Sequence, residues 1–249
     1  MTVPEAIQHP ALRRYALRCL RLPLGGAVLP LALPDAKDWR RRGHWAAATD
    51  RGAEPPYWVQ VWPASVALAR LLWRFGHLKG HSVLDLGCGL GIPGIAAARM
   101  GALVTFADRE PDALHFAQWN GRRMSTAAAA PATQLLDWSR DVVAGRFDFV
   151  LLADVSYRAA HHAPLRRQLE HALAPRGCIV HADPMRPESR VFLAQLERDF
   201  ATLETIRTTH FGDKRVEVRL VVAARECSDL AQWTDAVGPA ARRAHGEAS

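Results

Sequence analysis

Glycines 87, 89 and 91 lie in Asp85-Leu-Gly-Cys-Gly-Leu-Gly91, directly after the apolar run SVLDL and just before a stretch of small residues opening at Pro93. Glycines at that spacing let a chain turn tightly and let a ligand reach the backbone with no Cβ in the way, so the segment predicts a nucleotide-like ligand at the end of a strand. Two ligands suit such a loop. A dinucleotide is one, because Gly89-Leu-Gly91-Ile-Pro-Gly94 satisfies GxGxxG; S-adenosylmethionine is the other. The register favours the second: the strand stops at Leu86, so the first glycine of a dinucleotide fingerprint would be Gly87, and Ile92 stands where its third glycine belongs. Asp85 points the same way, since its carboxylate can take the amino group of S-adenosylmethionine, directly or through water, and would repel a diphosphate.

Two further acidic positions fit the same ligand. Asp108 closes the run LVTFAD, 21 residues after Gly87, where a carboxylate can accept hydrogen bonds from both ribose hydroxyls; capping the helix that opens near Pro111 is its blander role. Asp137-Trp138 follows a short third strand, and there Asp137 can accept the adenine amino proton while Trp138 stacks on or walls the base, with a core tryptophan as the plain alternative.

The elements needed to hold these residues are legible in the periodicity. Val61 to Phe75 has apolar positions at helical spacing, 82–87 and 103–108 are strands, Pro93 to Met100 and Pro111 to Met124 are helices, and FDFVLLAD (147–154) is a further apolar strand. A helix over Leu165 to Leu173, the strand GCIVHAD (177–183), a helix from Val191 to Phe200 and the alternating RVEVRLVVAAR (215–225) complete the pattern. Alternation of helices with uninterrupted apolar strands predicts an α/β fold with a doubly wound, Rossmann-like, mostly parallel sheet of seven strands covered on both faces. Residues 57–226 form the expected catalytic domain; 1–56, where LPLGGAVLPLAL resembles two strands around a Gly-Gly turn, form an N-terminal arm or hairpin, and 227–249 a flexible tail.

Composition narrows the class. The 249 residues are 49% hydrophobic, enough for a full core, and no run approaches the ~18 apolar residues that span a membrane. Pro23, Gly25, Gly26, Pro30 and Pro34 break the apolar stretch behind Arg13, Arg14, Arg18 and Arg21, which argues against a signal peptide. Cys19, Cys88, Cys178 and Cys227 are too scattered for a zinc site or a disulfide scaffold and predict reduced thiols in a cytoplasmic protein without a metal. A net charge of +7 and a pI near 9.8 would suit nucleic acid, but the arginines are dispersed apart from Arg40, Arg41 and Arg42.

Taken together, Tyr57-Trp58-Val59-Gln60-Val61-Trp62-Pro63, the DLGCGLG loop, Asp137-Trp138 and the DxxY tetrad Asp154-Val-Ser-Tyr157 resemble the family-16 methyltransferases, class I enzymes that include many protein-lysine methyltransferases. Within that group, Ala182-Asp183-Pro184-Met185-Arg186-Pro187 looks like the DPxRP segment of the enzymes acting on the electron-transfer flavoprotein β subunit. The resemblance implies cofactor contacts from Trp62, Gly87, Cys88, Gly89, Asp108, Trp138 and Ala153, and places Asp154 and Tyr157 at the substrate channel. In such a role Asp154 would orient an incoming amine, stabilise its developing charge or accept a proton, and Tyr157 would wall the channel and hydrogen-bond the amine; a turn residue and a packing ring are their bland readings. The acceptor is then expected to be a protein lysine, with a small-molecule amine as the alternative. RNA or DNA is a weaker one, because Glu54-Pro55-Pro56-Tyr57 echoes the motif of DNA amino-methylating enzymes but stands ahead of the first core strand, while the fourth strand is followed by DVSY. A module that keeps the cofactor only for stability is a further reading, opposed by the intact Asp154 and Tyr157.

Overall fold

Residues 10–43, 55–211 and 213–244 are described by a computed structural model of the chain. Residues 1–9 and 44–54 of the expected arm, with Glu54 of the EPPY motif, and the last five residues lie outside this range.

The hairpin around Gly25-Gly26 consists of β1 (Leu17–Pro23) and β2 (Val28–Pro34), antiparallel, followed by the short helix α1 (Ala36–Arg41). It is not a loose arm. Asn120 donates to the carbonyl of Ala32 and accepts from its N–H, each at 2.9 Å in a buried position, and the Tyr15 hydroxyl and Arg14 both bond Asp112. Helix α2 (Pro63–Phe75) starts at Pro63, whose missing N–H would be unsatisfied there anyway, and stops at Gly76, which takes a φ of 75° and donates to the Leu72 carbonyl.

Next come β3 (Ser82–Leu86), α3 (Ile92–Arg99), β4 (Leu103–Asp108), α4 (Pro111–Met124) and β5 (Ala132–Leu135); then β6 (Phe147–Ala153), α5 (Ala159–Ala172), β7 (Leu173–Asp183) and α6 (Pro187–Asp199). The chain continues through β8 (Ala201–Phe211), β9 (Lys214–Ala224), α7 (Cys227–Leu230), α8 (Thr234–Val237) and β10 (Arg242–Ala244). The sheet order is β10-β8-β9-β7-β6-β3-β4-β5, with β7, β6, β3, β4 and β5 parallel and β9 antiparallel to β7. The expected seven-stranded sheet is thus present, with the three-residue β10 added at its edge.

Both faces of β3 are buried. Val83 packs in one apolar cluster with α2, α3 and α4, while Leu84 and Leu86 pack in another with α5 and α6, as an uninterrupted apolar strand requires. From β3 the chain moves outward to β4 and β5, then returns to the other side of β3 as β6 and β7, so loops diverge at the carboxyl ends of β3 and β6, the position where open α/β sheets bind ligands.

Residues 227–244 correct the expectation of a flexible tail. Trp233 is fully buried, stacked on Phe75 at 3.7 Å between ring centroids and edge-on to Phe149, and Arg176 pairs with Asp229 at 2.6 Å. Trp233, with Leu230, Ala236 and Val237 buried beside it in the same cluster, docks the segment on the core.

Candidate active site

A cavity opens at the carboxyl ends of β3, β4 and β6, under the 57–62 segment. Its floor is the glycine loop. Gly87 has a φ of 68°, and a Cβ there would come within 2.7 Å of both the Trp138 ring and the Val155 side chain. Gly89, with a φ of 50°, sends its N–H to Asp108 at 2.8 Å. Gly91 serves another purpose: a Cβ there would meet Ala117 at 2.6 Å and Phe106 at 3.0 Å, so it permits α3 to approach β4 and α4, and it does not line the cavity.

Asp85 also lies behind the loop. It is 1% exposed, accepts the Gly94 N–H at 2.9 Å and does not line the cavity; it secures the first turn of α3, and a direct contact with a cofactor amino group does not follow from its position. Burial pushes its carboxyl up to about 7, against the opposing Gly94 hydrogen bond. Asp108 does line the cavity. Burial raises it to about 6 even though its two oxygens accept the N–H groups of Glu110 and Gly89.

The other expected positions all reach the cavity: Trp62, Cys88, Asp137, Trp138, Ala153, Asp154 and Tyr157. The Trp62 indole donates to the Tyr57 carbonyl at 3.0 Å, fixing the ring at the rim. Hydrogen bonds from Ser139, followed by the charge of Arg140, hold Asp137 below the ordinary carboxylate range, with Ser139 Oγ 2.5 Å away. The Cys88 thiol is pushed well up by burial and by the nearby carboxylates Asp108 and Asp85, so it is no nucleophile.

Asp154 and Tyr157 line the same cavity. Asp154 leaves β6 with a φ of 57°, unusual for a residue with a side chain, and its N–H is tied to the Ala182 carbonyl of β7 at 2.8 Å. Both its oxygens are bonded to Arg186, at 2.6 Å from Nε and 3.0 Å from Nη2. The Arg186 guanidinium also lies over the Tyr157 ring, 5.9 Å from its centroid, and Tyr57 and His161 meet that ring edge-on. Ser156, between the two, is fully buried: its hydroxyl lies 2.8 Å from His181 Nε2 and donates to Ser189 at 2.9 Å, and its carbonyl bonds His162 Nε2 at 3.0 Å. His181 is itself fully buried, and burial followed by the charge of Arg219 lowers it to about 3, which keeps the imidazole neutral. Sequence reasoning had no role for Arg186, Ser156, His181 or Ser189, although Arg186 lies in the ADPMRP segment already singled out.

A family of proteins described as lysine methyltransferases matches residues 54–199 of this chain. The chain belongs to that family. Protein N-lysine methyltransferase METTL21A of Danio rerio is 31% identical over 188 residues, 72% of this chain and 78% of that protein. The electron transfer flavoprotein beta subunit lysine methyltransferase of Mus musculus is 29% identical over 187 residues, 72% of this chain and 70% of that one. Among solved structures, the N-methyltransferase NodS from Bradyrhizobium japonicum WM9, in complex with S-adenosyl-L-homocysteine, superposes with a TM-score of 0.52 at 17% identity, covering 65% of this chain and 86% of that one; it supports the fold.

As a member of the lysine methyltransferases the protein is an enzyme that uses S-adenosyl-L-methionine. The residues present suit that cofactor: a glycine cradle that a Cβ at Gly87 would fill, a carboxylate at Asp108 for hydroxyl donors and an indole at Trp138 for a base all face one cavity. Among the described residues no group of three His, Cys, Asp or Glu side chains is arranged to hold a metal, and no helix is long and apolar enough to cross a membrane.

Proposed function

We propose that this enzyme methylates the side-chain amine of a lysine in a protein substrate, with the cofactor on the glycine loop and the acceptor entering past Tyr157. The observation that carries the reading is that one cavity is lined both by Gly87, Asp108 and Trp138 and by Asp154 and Tyr157. When bound, S-adenosyl-L-methionine supplies a methyl group activated by a sulfonium. Asp108 accepts the ribose hydroxyls, Asp137 the adenine amino proton, and Trp138 and Trp62 cover the ligand. Cys88, Gly89 and Ala153 wall it, and Asp85 and Gly91 act from behind by fixing the loop and α3.

A lysine ammonium, with a reference pKa of about 10.4, has no lone pair until it loses a proton, so the acceptor end must favour an aligned, neutral amine. Asp154 does this by charge and Tyr157 by hydrogen bonding to the entering nitrogen. The ADPMRP segment and the likeness to the mouse enzyme make the electron-transfer flavoprotein β subunit the first substrate to try. The four free cysteines, two of them buried, suit a cytoplasmic location.

Incubating a cell extract with the purified enzyme and radiolabelled cofactor tests the acceptor class. Label in a discrete protein band, mapped to lysine by mass spectrometry, is the expected result. Label confined to the low-mass fraction would indicate a small amine, and label in RNA or DNA a nucleic-acid acceptor; either would overturn the assignment.

A further inference from the structure

The geometry points to Arg186 as a positioning residue for the acceptor end: it fixes both oxygens of Asp154, so that this carboxylate meets the acceptor as a fixed negative charge and not as the group that takes its proton. The inference deepens the amine-methylation reading above and rests on it.

Two contacts of 2.6 and 3.0 Å make a bidentate pair, the geometry in which a guanidinium best matches a carboxylate. The Asp154 side chain is only 4% exposed, while that of Arg186 is 36% exposed, so the pair joins a buried carboxylate to a guanidinium that water partly reaches. These hydrogen bonds in turn hold the Arg186 proton more firmly than usual. The Arg186 backbone is anchored as well: its main-chain N–H is bonded to Asp183 Oδ1 at 2.8 Å, and Asp183 is buried at the end of β7. Behind Asp183 stand Arg219 of β9, at 3.6 Å from its other oxygen, and Glu204 of β8, at 3.3 Å from Arg219. The other titratable and charged groups around Asp154 include Tyr157 on its own loop, Arg158 over and Tyr57 edge-on to the Tyr157 ring, His161 of α5 against that ring, and His162 and His181 beneath Ser156. The Arg186 guanidinium also lies over the Tyr157 ring, as does that of Arg158 at 5.8 Å, so Arg186 touches both ends of the DxxY tetrad while Arg158 touches the tyrosine alone.

Both oxygens of Asp154 are already engaged by guanidinium N–H groups. The acceptor amine therefore loses its proton to water before or during entry, and the nitrogen lone pair forms the new N–CH3 bond as the S–CH3 bond breaks, its electron pair leaving on sulfur as a neutral thioether. The nitrogen becomes cationic in that step, and the fixed charge of Asp154 stabilises it.

The test has two arms. In 15N spectra of the full chain, an arginine Nε–H signal assigned to Arg186 should be protected from solvent exchange in the wild type and lose that protection in Asp154→Asn. In kinetics on a lysine acceptor, Arg186→Gln should lower kcat about 100-fold, the scale of a misplaced catalytic group, with cofactor affinity unchanged and Arg186→Lys recovering part of the loss. Arg186→Gln/Asp154→Asn should be no slower than Asp154→Asn alone. Across alkaline pH, Asp154→Asn should lower the rate without moving the inflection. Multiplying losses in the double variant, or an inflection that shifts or vanishes in Asp154→Asn, would overturn the inference, as would an unprotected Nε–H in the wild type. A protected signal in an enzyme that methylates no amine would instead defeat the acceptor reading and leave the clamp standing.

Discussion

The two ends of the cavity are built by different means. At the cofactor end the shape comes from backbone: Gly87 and Gly89 with positive φ, N–H groups turned toward Asp108, and strand ends that place Asp108 and Asp137 by register. At the acceptor end it comes from side chains distant in sequence, with Asp154 held by Arg186 from 32 residues away and Ser156 by His181 and Ser189 from 25 and 33. The backbone-built end leaves no room for a Cβ at Gly87. An end built from long-range side-chain contacts fails when one partner is removed.

The largest expected effect breaks the backbone end. Gly87→Ala adds a Cβ at 2.7 Å from Trp138 and Val155 on a φ of 68°, and the combined overpacking and strain should weaken cofactor binding about 100-fold. Calorimetric titration with S-adenosyl-L-homocysteine checks it. An affinity within threefold of the wild type would mean that Trp138 does not close over the loop.

A smaller effect concerns the charge at the same end. Asp108 titrates near 6 in the free protein, raised chiefly by burial. Hydroxyl donors on the ligand favour the carboxylate form, so binding lowers that value and affinity falls as pH drops through it. About tenfold weaker binding at pH 5 than at pH 7 is expected, and Asp108→Asn should bind weakly with a flat profile; a sloping profile in that variant would assign the titration elsewhere.

The smallest effect sharpens the acceptor end. Ser156→Ala leaves His181 and Ser189 without the hydroxyl between them and should cost roughly 1–3 kcal/mol of stability by chemical denaturation. A few-fold fall in kcat should accompany it, with cofactor affinity unchanged. A fall in affinity instead would mean that this buried network supports the glycine loop.

The same contrast explains what could be read before folding. Short-range signals sufficed for the glycine loop, Asp108, Asp137 and the parallel core strands, because each depends on residues within one strand-loop-helix unit. Asp85 and Gly91 belong to the legible motif, yet they face α3 and the core, since side-chain direction at a strand end is settled by packing. Strand β8 went unread: its inward positions include Thr205 and Thr209 where an apolar residue would have revealed the alternation. Trp233 was hidden in a polar segment, and its packing on Phe75 and Phe149 shows that the chain returns to the core. Arg186 was visible as a residue but not as a partner, because nothing local announces a contact across 32 positions.

Equilibrium binding of S-adenosyl-L-homocysteine to the wild type, Asp108→Asn and Asp154→Asn tests the division of the cavity most directly. The wild type and Asp154→Asn should bind alike, with Asp108→Asn much weaker at neutral pH. Equal loss in both variants, or preference of the wild type for a nicotinamide dinucleotide, would contradict it.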